Sequence, residues 1–502
     1  MIITFGLMLA FFAVIVLILQ LTKRKDQSFT DYAVGGRSFN AKFQAMSFLN
    51  TWYPGAMFTA FGGLAAASGV ISFYVLVYSL LTVVLMYAMA QRVWVWGKQF
   101  DLKTQPDLFS LRYNSKHIRT IAAIIGIISG IPWLVLGMQA LGGLFQYMSL
   151  GTLSFSTAVI LGVLLIALRQ VWTVRMGMRG VVISDMAQGI VAYLIGTLVL
   201  VGLILWLIYE KGSSLSTLEP EMFSLPDFGS KEGPFYVFSL ILTGTVGGWC
   251  WPYIFVRLFT ADSVHSLKKS AALAMPLSLV FGSALLLFGM FSSVLPSVAA
   301  QPTDVWFLVS QEAGGVFLLG IAGVILLAAS MGHIDGNIQA TGAQIANDLI
   351  GNYRTLSHPQ LIFVAKFGMV LLTALSAWLA CMKLPTLFSL AVLAYQGIIQ
   401  LAVPQFLGIF WKKGNALGAI VGMIAGFVTA ITLEMGYVDI LGQTYGITSG
   451  LIGLAVNLVI YIAAAYLVPH SGEEQSRVEA LFRVSDSKSQ SHQQIVDTAN
   501  VR

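Results

Sequence analysis

Long apolar runs recur along almost the whole chain and restrict its possible folds more than any other feature. One membrane crossing takes about 20 apolar residues. Thirteen runs of that length lie near residues 2–21, 44–68, 71–96, 118–147, 154–175, 181–209, 235–259, 270–298, 315–346, 361–381, 386–410, 415–437 and 448–468. Only 10% of the 502 residues are charged, against about 25% in a soluble domain. We therefore predict an all-α polytopic membrane protein with about 13 transmembrane helices.

The positive charges predict how the chain is oriented. If the N-terminus lies outside, 25 of the 28 Lys and Arg residues fall in alternate loops, at their edges or in the tail, and only Lys211, Lys231 and Lys383 fall on the other side. Basic residues concentrate in cytoplasmic loops. We expect a plasma membrane protein, with the bacterial inner membrane as the expected location, and a cytoplasmic C-terminus. The net charge of +6 is then a topology signal and does not indicate nucleic-acid binding.

Residues for enzyme chemistry are sparse. Of six histidines, only His333 lies inside an apolar run, and the sequence contains no H-x-x-x-H, G-x-S-x-G or G-x-x-x-x-G-K-[ST] motif. Cys250 and Cys381 both lie in apolar runs, where cysteine is typically a small packing residue. We predict that the protein is not an enzyme and has no cofactor beyond a coupling ion.

Two runs contain breaks that point to a transporter. Residues 47–55 include polar side chains and end in a Pro-Gly pair, and residues 243–252 are glycine-rich and end in a proline. Irregular backbone at membrane depth persists where it lines a cavity, and broken segments at corresponding positions indicate a site between inverted repeats. The breaks lie five runs apart. Because five is odd, the second five-helix repeat should be inverted relative to the first.

This arrangement predicts one transporter domain over residues 1–502. Its parts are an extra N-terminal helix at 1–21, a first inverted repeat at 44–209, a second at 235–410, two peripheral helices at 415–468 and a cytoplasmic tail at 470–502. The tail is polar and rich in Ser and Gln, so we expect it to be disordered or loosely helical.

Five short motifs make nearly the whole chain resemble the sodium:solute symporter family. The motifs are Asp31-Tyr32-Ala33-Val34-Gly35-Gly36-Arg37-Ser38, Gln105-Pro106-Asp107-Leu108-Phe109, the stretch from Gly177 to Gln188, Arg257-Leu258-Phe259-Thr260-Ala261-Asp262-Ser263, and Gly414-Asn415-Ala416-Leu417-Gly418. The resemblance implies a leucine-transporter-type fold and cation-coupled uptake of a small organic solute by alternating access.

The resemblance also implies a sodium site between the runs at 44–68 and 315–346. Its positions here are Asn50, Tyr53, Ala329, Gly332 and His333. In the family, the first two positions supply backbone carbonyls and the last two supply hydroxyl groups. Gly332 and His333 have no hydroxyl, and Na⁺ prefers oxygen ligands. Two alternatives follow. In the first, carbonyl oxygens alone bind Na⁺ weakly. In the second, uptake uses His333, whose imidazole can carry a proton, and is coupled to H⁺ or independent of Na⁺.

Other charged residues in and near the runs have structural or gating interpretations. Arg37, Asp107, Arg179 and Asp185 are predicted at the inner interface. There they can pair with one another as a cytoplasmic gate or extend to the interface. Asp335 lies two residues beyond His333, and its role stays open between an ion ligand and a charge with a structural partner.

The solute is expected at mid-membrane between the two breaks. The candidate binding residues are polar or aromatic members of four runs: Asn50, Thr51, Trp52, Tyr53, Gln139, Trp249, Trp251, Tyr395 and Gln396. No acidic residue accompanies the breaks, so an anion or zwitterion is favoured over a cation. An amino acid or a monocarboxylate fits best.

The sequence favours a secondary active importer, and a membrane solute sensor is the alternative from another class. A sensor of this kind is expected to carry a signalling domain, and the 33-residue tail is too short for one. The expected partners are the lipid bilayer and the solute, with no nucleic acid and no obligate protein partner.

Overall fold

The chain folds into helices joined by short connections. The computed structural model describes residues 1–23, 28–382, 387–436 and 445–499. Four basic residues of the topology prediction therefore lie outside the described residues: Arg24, Lys25, Lys383 and Arg502. In the first part of the chain the α-helices are α1 Ile2–Leu21, α2 Phe29–Val34, α3 Ala41–Trp52, α4 Gly62–Ser68, α5 Tyr74–Gln99, α6 Gln105–Tyr113, α7 Lys116–Met148, α8 Phe155–Gly189, α9 Gly196–Lys211 and α10 Pro234–Gly247. They continue as α11 Pro252–Phe255, α12 Arg257–Thr260, α13 Val264–Ser292, α14 Pro296–Ala300, α15 Val305–Gln344, α16 His358–Ala380, α17 Leu387–Ile398, α18 Gly408–Phe410, α19 Ala416–Glu434, α20 Ser449–Leu467 and α21 Gly472–Ala499.

The helices match the predicted apolar runs. Within the described residues, nine helical segments are long and apolar enough to cross a membrane, or ten with one bent pair included. One segment, Phe155–Lys211, has 57 residues, about twice what a 30 Å hydrocarbon core needs at 1.5 Å per residue. A single crossing cannot contain it, and it corresponds to two of the predicted runs.

Gly177 divides this long segment. Its φ of 56° and ψ of −148° interrupt the helix, and this positive-φ region is open to glycine. A Cβ at this position would also lie 2.4 Å from the carbonyl oxygen of Tyr32. The glycine therefore permits both the break and the close approach of α2.

The two predicted breaks are present. α3 ends at Trp52, and regular helix returns only with a π-helical turn at Met57–Phe61. In the second repeat, Pro234–Cys250 and Pro252–Thr260 meet at 61°. Trp251 between them has an extended backbone, with φ −69° and ψ 120°. Proline cannot donate the backbone hydrogen bond that would continue a helix, which explains why both breaks occur at one.

α15 is the central helix of the bundle. Every residue from Ile325 to Gln344 is buried, and α15 packs against α3, α7, α8 and α16. A short parallel bridge joins Phe39, before α3, to Ala261, after α12. The segment before the first broken helix is thus tied to the segment after the second.

The tail is more ordered than expected. Residues 472–499 form α21, which packs on α5. Trp96 donates its indole N–H to the carbonyl of Leu481 at 2.9 Å, and the buried Phe482 ring packs edge-on against Trp96. Arg477 donates to the carbonyls of Leu111 and Arg112 at the end of α6. Of the two forms expected for the tail, the structure shows the helical one, because apolar residues at helical spacing give α21 a face that packs on the bundle.

Candidate functional site: an aromatic cavity and a buried polar network

A narrow cavity lies beside the two broken segments. Its volume is about 20 Å³, and it lies between side chains of α5, α10, α17 and the π-helical turn. This is room for about one water molecule. The lining residues are Phe61, Tyr74, Tyr78, Leu240, Thr243, Gly244, Val392, Tyr395 and Gln396. None of these described residues is charged. Apolar rings with a few hydroxyl and amide groups are typical of a site for a small organic ligand.

Aromatic side chains pack against the lining of this cavity and form a wall behind it. Trp251, in the second break, packs edge-on against Tyr395 at 5.3 Å and against Trp133 at 6.2 Å between ring centroids. On the other side, Trp52 packs edge-on against Tyr78 at 5.8 Å. These edge-to-face contacts stabilise the wall. They bring the two breaks, one from each repeat, to the same cavity.

The predicted substrate residues divide into two groups. Tyr395 and Gln396 line the cavity, and Trp52 and Trp251 contact lining residues. Trp249 is buried, and its indole N–H donates to the carbonyl of Thr82 at 2.8 Å.

Four further predicted residues lie outside the lining, and one of them, Tyr53, is buried with its ring edge-on against Phe281. Gln139 is buried in α7. Asn50 and Thr51 belong to a buried polar network, so their assignment to the solute site does not match the geometry.

Sequence reasoning missed part of the lining. Tyr74 and Tyr78 are one helical turn apart on α5, and Thr243 lies on α10 within the cavity. The spacing of four between the two tyrosines places both on one helix face, which was a usable signal. Nothing in the sequence distinguished that face from one that packs against neighbouring helices.

The buried polar network centres on the Asp185 carboxylate. It accepts hydrogen bonds from the Ser47 hydroxyl at 2.6 Å and from the Asn50 amide at 3.0 Å. The Arg257 guanidinium pairs with it at 3.2 Å and donates to the Thr51 hydroxyl at 2.8 Å. Asp185 and Arg257 are both completely buried. Burial of two charges is tolerated when they pair and further hydrogen bonds satisfy them.

Tyr193 joins this network to the first break. Its hydroxyl donates to the carbonyl oxygen of Tyr53 at 2.5 Å and lies 3.3 Å from the side-chain oxygen of Asn50. Tyr193 lies in the π-helical turn Ile190–Ile195. It was not among the predicted site residues, although its spacing of eight from Asp185 places both on one helix face.

His333 contacts the same break from α15. Its Nδ1 is 3.1 Å from the carbonyl oxygen of Thr51. The ring packs edge-on on Tyr253 at 5.1 Å and lies 5.7 Å from the ring of Trp133. Within the part of the chain that the structure describes, Nε2 is buried and has no hydrogen-bond partner. His333 thus lies between the polar network and the aromatic wall.

The predicted cation site does not fit Na⁺. Ala329, Gly332 and His333 lie on α15 and offer no side-chain oxygen. Of the two predicted carbonyl ligands, that of Tyr53 already accepts from Tyr193. A hard cation needs several free oxygen ligands. We derive no step through a Na⁺ ion at these residues.

A second buried ion pair accounts for Asp335. Its carboxylate lies 2.9 Å from the Arg169 guanidinium, and both side chains are fully buried. Gln170 also donates to it at 2.8 Å. Asp335 has a structural partner, as one of its two interpretations expected. Arg169 and Arg257, which the topology prediction placed in loops, lie inside the bundle instead because each pairs with a buried aspartate.

The four predicted gate residues do not form one cluster. Asp107 pairs with Arg119 at 2.5 Å, and Arg119 also pairs with Asp348 at 2.8 Å. Arg37 donates to the carbonyls of Phe259 and Leu102. Burial lowers the pKa of the Arg37 guanidinium, while Asp101 and Asp107 nearby raise it.

Asp185 and Arg179 are the other two gate candidates. Asp185 lies deep in the bundle beside the first break, so its assignment to the inner interface was wrong. The turn predicted at residues 176–180 is present at Gly177, and Asp185 lies about two helical turns beyond it, inside the bundle. Arg179 has a buried Nε atom without a hydrogen-bond partner among the described residues.

Two broken membrane helices that meet at one cavity are typical of a transporter. The match to known proteins agrees, since the model of the sodium:solute symporter family covers residues 32–426. The chain belongs to the sodium:solute symporter family.

The relatives share modest identity over most of their length. The uncharacterized symporter YodF of Bacillus subtilis is 26% identical over 92% of each chain. The sodium/pantothenate symporter of Escherichia coli is 25% identical over 87% of this chain and 91% of the relative. The sodium/proline symporter of Haemophilus influenzae is 22% identical over 80% and 82%.

Solved structures confirm the leucine-transporter-type fold. A Na⁺-coupled sialic acid symporter in a substrate-bound, outward-open state matches with a TM-score of 0.75 at 16% identity, over 93% of this chain and 99% of its own. Mhp1, a nucleobase-cation-symport-1 family transporter in a closed conformation, matches with a TM-score of 0.57 at 15% identity, over 91% and 99%.

Proposed function

We propose that the protein imports a small organic solute, an amino acid or a monocarboxylate, into the cell by alternating access in the plasma membrane. The observation that carries the proposal is the aromatic cavity at Tyr395 and Gln396, to which each broken helix contributes a wall residue. Relatives named as proline and pantothenate symporters support a solute of this size.

The chemistry of the cavity favours a solute with both apolar and hydrogen-bonding parts. Tyr74, Tyr78 and Tyr395 carry hydroxyl groups, and Thr243 and Gln396 add a hydroxyl and an amide. These groups can donate to a carboxylate, while the rings contact its apolar remainder. A sugar needs more amide and carboxylate partners than this lining offers.

The predicted orientation places the cavity on the outer side of the membrane. With the N-terminus outside, α5 begins at the outer surface, and Tyr74 and Tyr78 lie in its first two turns. The ion pairs among Asp107, Arg119 and Asp348 then lie on the cytoplasmic side. Inward opening must separate or displace these ion pairs. They therefore take the role of cytoplasmic gate, which the sequence predicted for pairs among Arg37, Asp107, Arg179 and Asp185.

The coupling ion has two candidates. Family membership favours Na⁺. The residues at the predicted cation site do not fit Na⁺, which favours uptake that is coupled to a proton at His333 or independent of Na⁺. Unchanged uptake and pH dependence in His333→Ala would exclude the proton at this residue.

Uptake by the purified full-length protein in proteoliposomes tests the function. Labelled proline, pantothenate, acetate, lactate and pyruvate, with glucose as a contrasting solute, are supplied under an inward Na⁺ gradient alone or an inward H⁺ gradient alone. Accumulation of an acid or amino acid supports the proposal, and glucose uptake alone contradicts it. If no solute accumulates while one of them raises the melting temperature of the protein, the membrane sensor replaces the importer.

A further inference from the structure

We infer that the protein's own side chains, with the Arg257 guanidinium as the cation, fill the place where a coupling Na⁺ would bind, so that Na⁺ does not drive its uptake cycle. The inference rests on the proposed transport function and narrows its coupling ion. The place is the contact between α3, α8 and α15, around Asn50, Asp185 and Gly332.

Two glycines on α15 make room for these side chains. Gly332 and Gly336 are one turn apart on a helix and lie on the same face. A Cβ at Gly332 would lie 1.8 Å from Nδ2 of Asn50 and 2.9 Å from Oδ1 of Asp185, and a Cβ at Gly336 would lie 2.7 Å from Nη2 of Arg257. A side chain at either glycine cannot coexist with this arrangement. The amide of Asn50 and the guanidinium of Arg257 therefore occupy the space that larger residues on α15 would take.

These donors engage both oxygens of the Asp185 carboxylate. Oδ1 accepts from Asn50, whereas Oδ2 accepts from Ser47 and pairs with Arg257. The fixed positive charge of the guanidinium neutralises the carboxylate inside the bundle. A Na⁺ ion at Asp185 would have to displace these donors and would lie beside a like charge in a medium of low dielectric, where repulsion is strong.

The backbone oxygens nearby are engaged as well. Tyr193 donates to the carbonyl of Tyr53, and Nδ1 of His333 lies in hydrogen-bond reach of the carbonyl of Thr51. Two carbonyl oxygens of the first break are thus engaged by side chains of the protein. The groups that engage them also stabilise the break.

The response of the wild-type protein to Na⁺ is the first test. Melting temperature in detergent and initial uptake rate in proteoliposomes are measured as NaCl replaces choline chloride at constant ionic strength and pH. We expect no change in melting temperature and less than about a twofold change in rate, whereas a coupled ion changes affinity about 5–150-fold. A Na⁺-dependent rise in either quantity overturns the inference. The melting temperature gives a result even if no solute in the panel is transported, so this failure is distinguishable from failure of the proposed function.

A double-mutant cycle tests whether the Asn50 amide fills the space beside Gly332 on α15. Gly332→Ala should lower the melting temperature strongly, because its Cβ collides with the Asn50 amide. Once Asn50→Ala has removed that amide, adding Gly332→Ala should cost much less than it does alone, because only the contact with Oδ1 of Asp185 remains. The two effects should therefore be non-additive. Additive losses of melting temperature would show that the amide does not occupy the space beside Gly332 and would overturn the inference. Gly202→Ala on α9, where a Cβ meets no atom within 4 Å, is the matched control and should match wild type.

Discussion

Substitution of Gly55 by alanine should destabilise the protein, because α15 approaches the first break too closely for a side chain there. A Cβ at Gly55 would lie 1.9 Å from Oγ of Ser330 and 2.8 Å from the carbonyl oxygen of Leu326. Rotation of the serine relieves the first contact. The second involves the backbone of a central helix, so either α15 or the break must move. Overpacking of this kind costs about 1–3 kcal/mol, which is up to about a hundredfold in an equilibrium constant.

Thermal unfolding of purified variants measures this cost, and Ser330→Ala separates its two parts. The double variant Gly55→Ala/Ser330→Ala should recover only part of the lost stability, because the contact with Leu326 remains. Gly143→Ala is the control, since a Cβ there meets no atom within 4 Å and alanine favours a helix by up to about 1 kcal/mol over glycine. Wild-type stability in Gly55→Ala, or full recovery in the double variant, would refute the reasoning.

Three further predictions concern the cavity, the second ion pair and the tail. Tyr395→Ala should raise KM for the transported solute about tenfold, the equivalent of about 1.4 kcal/mol, whereas Trp378→Ala, at a side chain that is 62% exposed, should leave KM unchanged in the same uptake assay. Arg169→Met leaves the Asp335 carboxylate buried without its partner and should cost about 3–5 kcal/mol, most of which Arg169→Met/Asp335→Leu should recover; equal melting temperatures of the single and double variants would contradict this. Phe482→Ala should destabilise the packing of α21 by about 3–5 kcal/mol, seen as faster proteolysis of the tail, and unchanged proteolysis would count against the packing.

The sequence predicted the order of the helices because membrane crossings leave a one-dimensional signal. Each crossing needs a long apolar run, and backbone breaks are marked by residues such as Pro54 and Pro252. The segment Phe155–Lys211 illustrates this, because it contains two of the predicted runs and the chain turns back at Gly177 between them.

The site was predicted less completely because its contacts join helices that are distant in sequence. Tyr395 and Gln396 were found from their polarity within an apolar run. The pairing of Asp185 with Arg257 depends on how α3, α8 and α12 face one another, and helical spacing within one run cannot give that. Arg257 was therefore treated as a loop residue, although it lies among the most buried side chains of the protein.

The aromatic wall also gives the protein an intrinsic optical probe. Trp52, Trp133 and Trp251 have aromatic contacts at the cavity wall, and Trp249 stacks on Phe48 beside them. They are four of the 11 tryptophans in the chain. Indole emission depends on the polarity and rigidity of its surroundings, so a solute that displaces these rings should change the fluorescence spectrum. Ligands can thus be screened with unlabelled protein in detergent, before any transport assay exists for them.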